Sequence, residues 1–191
     1  MRRRLSILFL FLVYTTSHAF APYTQLHGVA RSTSRWNMGL QVNIRMMGKA
    51  TGGEPWIAEG CTMYETRLQN TIGIQTEWHK TSAQLVKSVE TDRSKGVVVA
   101  LLDPVGKPCT SSEAFADQLY DWFEQGGSRV TFVIGEAAEG IPSELKYPAS
   151  GVKPRLVSLS SLTFTHQFAR LVLIEQIYRA SEIRKGSGYH K

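Results

Sequence analysis

The chain is short of the residues that most often announce a site. It has two cysteines, Cys61 and Cys109, in 191 residues, too few for a disulfide framework or a four-thiolate zinc site. Its five histidines form no HxxxH pair, and no clustered ligand set points to a metal. No GxGxxG follows the first strand-like segment, so the fingerprint of a dinucleotide-dependent oxidoreductase is missing. Residues 135–140 have GxxxxG spacing, but Ile141 and Pro142 stand where a phosphate-binding loop needs Lys and Ser or Thr. A GxSxG nucleophile elbow is also absent. The apolar run at residues 5–13 would rise only about 14 Å as a helix, short of a bilayer core of about 30 Å. A collagen, a disulfide mini-protein, a zinc ribbon and a multi-span membrane protein are thereby excluded. What remains is a chain with 42% apolar and 20% charged residues, which is a globular balance.

Acidic residues are missing from one region altogether. Residues 1–40 hold Arg2, Arg3, Arg4, Arg31 and Arg35 and no acid, a charge of +5. Residues 41–149 carry 10 basic and 14 acidic groups, a net −4, and residues 150–191 carry 7 basic and 2 acidic groups, a net +5. The overall +6 is therefore not a property of the folded body, and only the C-terminal segment is basic enough to meet a phosphate backbone.

The N-terminal region reads as an address. Three arginines, the apolar run and a small, polar stretch (Thr15, Thr16, Ser17, His18, Ala19) are the three parts of a secretory signal. Ala19-Phe20-Ala21-Pro22 and an acid-free segment rich in Ser, Thr and Arg follow, the composition of an organelle transit peptide. This order resembles the two-part presequences of algae with secondary plastids. The expectation is a signal peptide at about 1–19, a transit peptide at about 20–39, and a mature domain over 40–191 delivered to the plastid, with mitochondrion or secretion as the alternatives. No stable membrane association is expected once the presequence is removed.

Within residues 40–191 the pattern alternates strand and helix. Leu40, Val42, Ile44 and Met46 share one face of a strand and Gln41, Asn43 and Arg45 the other, which predicts one buried and one open face. Pro55 starts a helix with Ile57, Cys61, Tyr64 and Leu68 on one side. Ile74, Thr76 and Trp78 mark a second strand, and residues 81–92 a second helix. Residues 97–102 (VVVALL) and 130–134 (VTFVI) are continuous apolar runs, as expected of strands covered on both faces. Between them, residues 103–108 (DPVGKP) read as a loop, Thr110 to Glu113 as a capping box, and Gly126-Gly127 as a helix end. A short strand at 155–159 and a long helix at 164–183 complete an α/β domain with a mostly parallel sheet and helices on both faces. Ligands in such sheets bind beyond the carboxyl ends of the strands. The loops at 103–108, 135–140 and 160–165 leave those ends, which predicts one shared pocket.

The tail is chemically distinctive. Tyr189, His190 and Lys191 follow two glycines, and together they can stack on a base, exchange a proton and meet a phosphate. His166 opens the last helix, and Arg170 and Arg179 on that helix pair naturally with nearby acids such as Glu175 and Glu182.

Several strings resemble one family. Residues 101–108 (LLDPVGKP), 133–141 (VIGEAAEGI), 158–170 (SLSSLTFTHQFAR) and 173–184 (LIEQIYRASEIR), with the terminal YHK, are similar to the RlmH family of SPOUT-class methyltransferases. The family pattern IGGxxG is replaced by IGEAAEG, with Glu136 and one added residue. The resemblance implies a C-terminal trefoil knot, a homodimer, S-adenosylmethionine as methyl donor, and methylation of N3 of a pseudouridine in large-subunit ribosomal RNA of an assembled ribosome. It places Leu102, Gly135, Leu159, Ser160, Ser161, Leu162, Thr163 and Phe164 around the donor. Tyr189, His190 and Lys191 would act at the target base, with His166, Arg170 and Arg179 toward the RNA. It implies no metal. The competing reading is a ribosome-associated RNA-binding protein of the same fold without catalysis, its cofactor pocket narrowed by Glu136 and Glu139.

Overall fold

The computed structural model describes residues 39–50, 53–136, 138–148, 151 and 153–190. Almost all of the expected presequence lies outside them. Five strands form one parallel sheet: β1 (Gln41–Met47), β2 (Gly73–His79), β3 (Val98–Pro108), β4 (Arg129–Ile134) and β5 (Arg155–Ser158). Their order is β2-β1-β4-β3-β5, with every neighbouring pair parallel. Five helices connect and cover them: α1 (Pro55–Leu68), α2 (Ser82–Ser94), α3 (Ser112–Gln125), the single turn α4 (Ser143–Lys146) and α5 (His166–Lys185).

The apolar runs explain why the sheet is covered on both sides. Along β3, Val98 and Ala100 face a large core built with α1, α3 and α5, while Val99 and Leu101 face a smaller one built with α2 and α4. On β4, Val130, Phe132 and Ile134 join the first core and Val133 the second. Phe115, Phe123 and Phe132 are almost fully buried. Each large side chain so buried contributes about 1.5–3 kcal/mol, which is what fixes the helices to this sheet.

Capping sets where three of the helices begin. The hydroxyls of Thr81, Ser111 and Thr165 accept from the N–H groups of Gln84, Ala114 and Phe168 at the starts of α2, α3 and α5. The cap of α3 is thus Ser111, one residue later than the Thr110 to Glu113 box expected from sequence, because Ser111 is the residue whose extended backbone aims its side chain at a free N–H.

Two further expectations are corrected. β1 is not a half-open strand. It lies between β2 and β4, and α2 covers its polar side. Arg45 donates to both oxygens of Asp92 on α2, at 3.0 and 3.1 Å, and pairs with Glu77 on β2. Thr131 donates to Asp92 at 2.9 Å and Asn43 to Thr131 at 3.3 Å, so the polar residues of β1 are satisfied inside the fold rather than by water. Residues 103–108 are not a terminal loop but part of β3. The strand pairs Leu102 with Val157, bulges over Asp103 to Gly106, and resumes pairing Lys107 with that same Val157. Pro104 has no N–H to give, and the Val105 N–H donates to Asp103 Oδ1 instead of the ladder, at 3.0 Å. A Cβ on Gly106 would lie 2.5 Å from the backbone nitrogen of Val157, so only glycine fits where the two strands close up again.

Candidate active site

Because all five strands run the same way, their carboxyl ends open on one side. There the β3 bulge, the segment after β4 and the turn between β5 and α5 enclose a cavity of about 370 Å³. Its floor is apolar, formed by Leu102, Ile134, Val157 and Ala169. Of the residues singled out in sequence, Leu102, Gly135, Leu159, Ser160, Leu162, Thr163 and Phe164 line it. Ser161 belongs to the same turn but is not part of the lining.

The walls are held by short-range bonds. Ser158 Oγ donates to the Ser160 carbonyl at 2.7 Å, and the Leu162 N–H donates to Ser160 Oγ at 3.0 Å. These bonds shape a compact turn that presents Leu162, 70% exposed, over the opening. The segment after β4 is closed by a reciprocal pair: Glu136 N–H to Gly140 carbonyl at 3.1 Å and Gly140 N–H to Glu136 carbonyl at 2.9 Å. A Cβ on Gly135 would sit 2.1 Å from the Gly140 carbonyl carbon, so this loop folds back directly onto Gly135. The added residue and Glu136 are accommodated by that bridge, with Glu136 and Glu139 on the cavity rim.

An ion pair at the opening was not legible from sequence. Asp103, on the β3 bulge and 7% exposed, accepts from Lys146 of α4 at 2.6 Å. Burial alone would raise the Asp103 carboxyl. The hydrogen bonds from Lys146 and the Val105 N–H, with the lysine charge, outweigh it and hold the group below its ordinary range. The Asp-Pro-x-Gly run signals a turn, but nothing in one dimension says that residue 146 comes back to meet it.

His166 also reaches the cavity, at the first turn of α5. Its ring meets Trp78 edge-on at 6.2 Å, and its Nδ1 is buried without a hydrogen-bond partner among the described residues. One turn later Arg170 donates to Glu65 of α1 at 3.1 Å. Arg179 donates to Glu175 from Nε at 3.1 Å and Nη2 at 2.7 Å. Both arginines are therefore paired within the domain.

The tail lies elsewhere. Gly186 ends α5 in the left-handed region, φ 72°, and turns the chain back into the short 3-10 turn Gly188–His190. The Tyr189 ring rests 4.9 Å from that of Tyr178. Tyr178 is 12 residues along α5 from His166, about 18 Å of helix. Within one chain the tail and the cavity are thus at different levels of α5. The backbone of His190 ends that last turn, and Lys191 lies outside the described residues.

Among the described residues, no group of three or more His, Cys, Asp or Glu is placed to hold a metal, and no helix is long and apolar enough to cross a membrane. Burial raises both thiols, Cys61 and Cys109, above their ordinary range.

Comparison with known proteins supplies the family. The family model described as "Predicted SPOUT methyltransferase" matches residues 40–190. The chain is 46% identical over 152 residues to the ribosomal RNA large subunit methyltransferase H of Protochlamydia amoebophila, covering 80% of this chain and 99% of that one. It is 35% identical over 167 residues to the protein of the same name from Halothermothrix orenii, covering 80% and 100%. Among solved structures, the SpoU methyltransferase of Streptomyces viridochromogenes in complex with AdoMet aligns with a TM-score of 0.39 at 12% identity, covering 78% of this chain and 58% of that one. A family model spanning the parallel sheet and all three cavity segments, and whole-length relatives well above 30% identity, place the chain in the SPOUT methyltransferase family.

Proposed function

We propose that this protein is an S-adenosylmethionine-dependent methyltransferase that modifies N3 of a pseudouridine in large-subunit ribosomal RNA, on the assembled ribosome of an organelle. The observation that carries the reading is the three-walled cavity at the carboxyl edge of the sheet. Its volume falls in the range of small-molecule pockets, and it combines an apolar floor with polar backbone and carboxylates at the rim. That set of groups fits a donor with an adenosine at one end and charged aminocarboxylate and sulfonium groups at the other.

Bound S-adenosylmethionine supplies an electrophilic methyl group on a sulfonium centre. The residues of the chain do the rest. Gly135 lets the loop after β4 fold back on itself and hold the cavity rim, and the turn from Leu159 to Phe164 would surround the donor with backbone groups. The Asp103–Lys146 pair anchors the bulge that carries Pro104 and Val105 on the opposite wall. Orientation of the acceptor nitrogen against the methyl carbon accounts for much of the rate gain. His190 removes the N3 proton, a task for which an imidazole near neutral pKa is suited. The basic segment 150–191, ending in Lys191, meets the RNA phosphates.

In this reading the enzyme is a homodimer. The tail and the cavity of one chain are separated along α5, so a second copy brings its tail to the opening. The C-terminal trefoil knot of the family belongs to the reading as well, and the presequence at 1–39 directs the chain to a plastid.

Transfer of a tritiated methyl group to ribosomes from that organelle, followed by mapping of the labelled base, tests the substrate. Changing His190→Ala should cut transfer at least about tenfold, the low side of a general-base contribution, with cofactor affinity unchanged. Equal loss of binding and transfer would make the tail a structural element. The alternative, an RNA-binding protein without catalysis, draws on the exposed Glu136 and Glu139 at the rim. Calorimetric titration with S-adenosylmethionine separates the two, since a micromolar dissociation constant is expected only of the enzyme.

A further inference from the structure

We infer that Tyr64 and Arg67 of α1, with Tyr178 and Arg179 of α5, form a clamp that positions the C-terminal tail for methyl transfer. The inference rests on the reading that His190 takes part in the reaction.

The chain entering the tail is held by backbone bonds only at the end of α5. Gly186, in the left-handed region, donates to the Ile183 carbonyl at 2.9 Å and Ser187 to the Glu182 carbonyl at 3.0 Å, but beyond them a Cβ on Gly188 would meet nothing within 4 Å. Free termini of this kind fray. The side chain of Tyr189, in contrast, is engaged from three directions. It stacks edge-on against Tyr178 with centroids 4.9 Å apart and planes at 77°. The Arg179 guanidinium sits 5.0 Å from the centre of its ring. The Tyr64 hydroxyl lies close enough to act on the Tyr189 hydroxyl.

The contacts extend outward as one chain of rings and cations. Tyr64 and Tyr178 lie 5.6 Å apart, and the Arg67 guanidinium is 5.6 Å from the centre of each. Arg179 is itself aimed by its two bonds to Glu175. Edge-to-face rings and cation–π contacts are directional, so they specify an orientation rather than a mere association. Tyr189 is the residue immediately before His190. Fixing its ring therefore fixes the start of the backbone step that carries the imidazole. Two elements far apart in sequence, α1 and α5, converge on one tail residue, and none of these four clamp residues touches the donor cavity. They act as positioning residues.

The surroundings give Tyr189 a spectroscopic label. Burial, the nearby Tyr64 hydroxyl and the Glu175 carboxylate raise its hydroxyl against the opposing charge of Arg179, to about 12.

The test uses the full mature chain and intact ribosomes. Tyr64→Phe removes the hydroxyl that acts on Tyr189 and keeps the ring, and Arg179→Gln removes the cation. Both are made alone and together with His190→Ala. Each single variant should lower single-turnover methyl transfer about five- to tenfold with cofactor affinity by calorimetry unchanged. Combined with His190→Ala, neither should lower it further, because both losses run through the same imidazole. Titration of tyrosinate absorbance should show one group ionising near 12 whose value falls in Tyr64→Phe. Additive losses in the double variants, or single variants with full activity beside an impaired His190→Ala, overturn the clamp alone. A fully active His190→Ala overturns the role given to the tail, and with it the clamp's part in transfer.

Discussion

Replacing Gly135 by alanine is the sharpest probe of the cavity. The added Cβ would lie 2.1 Å from the Gly140 carbonyl carbon, 2.3 Å from its oxygen and 2.4 Å from the Ile141 nitrogen. All three are backbone atoms, so no side chain can rotate away, and the loop from 135 to 141 must move as a unit. That motion breaks the reciprocal bonds between Glu136 and Gly140, which shape the rim. Overpacking of this kind costs about 1–3 kcal/mol. If the cost falls on the ligand-competent loop, affinity for S-adenosylmethionine should drop about 5- to 150-fold. If it falls on the fold, the melting temperature should drop by about 2–4 °C for each kcal/mol in a domain of this size. Gly96→Ala is the control. It has φ +74° with nothing within 4 Å of a new Cβ, and it sits in the turn between α2 and β3, at the amino end of the strand. It should lower stability by about 1–2 kcal/mol through backbone strain and leave binding alone. Calorimetric titration alongside thermal denaturation reads both terms. Binding by Gly135→Ala within twofold of the parent, with an unchanged melting temperature, would refute the geometry from which the cavity is argued.

Other expectations follow from the buried charges. Asp92→Ala strands Arg45, whose side chain is 12% exposed and keeps only Glu77, and should cost about 3 kcal/mol, the low end for a broken buried pair, seen as a fall in denaturant midpoint. Less than 1 kcal/mol would mean that water already reaches the network. Lys146→Ala leaves Asp103 buried without its partner. The depressed carboxyl contributes stability that is present above its ordinary range and lost as pH falls through the folded value. Without the lysine that contribution is lost at neutral pH, so the stability gap between parent and variant should narrow as pH falls through the folded value, and a gap that does not change with pH would show the pair to be ornamental. His79 is lowered by burial and by the charge of Arg45 against the partial opposition of Asp92. Its contribution is present above the ordinary value near 6.5 and lost as pH falls through the depressed folded value. Its ring proton should titrate below 6.5 by NMR, and titration at or above 6.5 would count against its buried position.

Periodicity identified each strand and each of the four longer helices, because alternation and 3.6-residue spacing are local properties that follow from burial on one or two sides. Residues 97–102 and 130–134 announced strands covered on both faces, and β3 and β4 are indeed flanked by helices on both sides of the sheet. The same logic failed for β1. Asn43 and Arg45 look like a solvent face, but a central strand with Asp92 and Thr131 waiting opposite buries them as a satisfied network. It failed again at residues 103–108, where proline and glycine suggested that the strand had ended. Their actual effect is a bulge, since β5 pairs with β3 on either side of it.

The sequence by itself determined the parallel α/β class, the three segments that wall the cavity, and the strings that carry the family. Each is written in short stretches of chain, so neighbouring residues suffice to read it. Only the tertiary structure decided that Lys146 meets Asp103, that Glu65 holds Arg170, and that Tyr189 lies against Tyr178 within reach of Tyr64. Except for Tyr178, 11 residues before Tyr189, those partners are separated by dozens of residues. No local pattern encodes them, because a charge or a ring accepts many neighbours and the packing of whole elements chooses which one it meets.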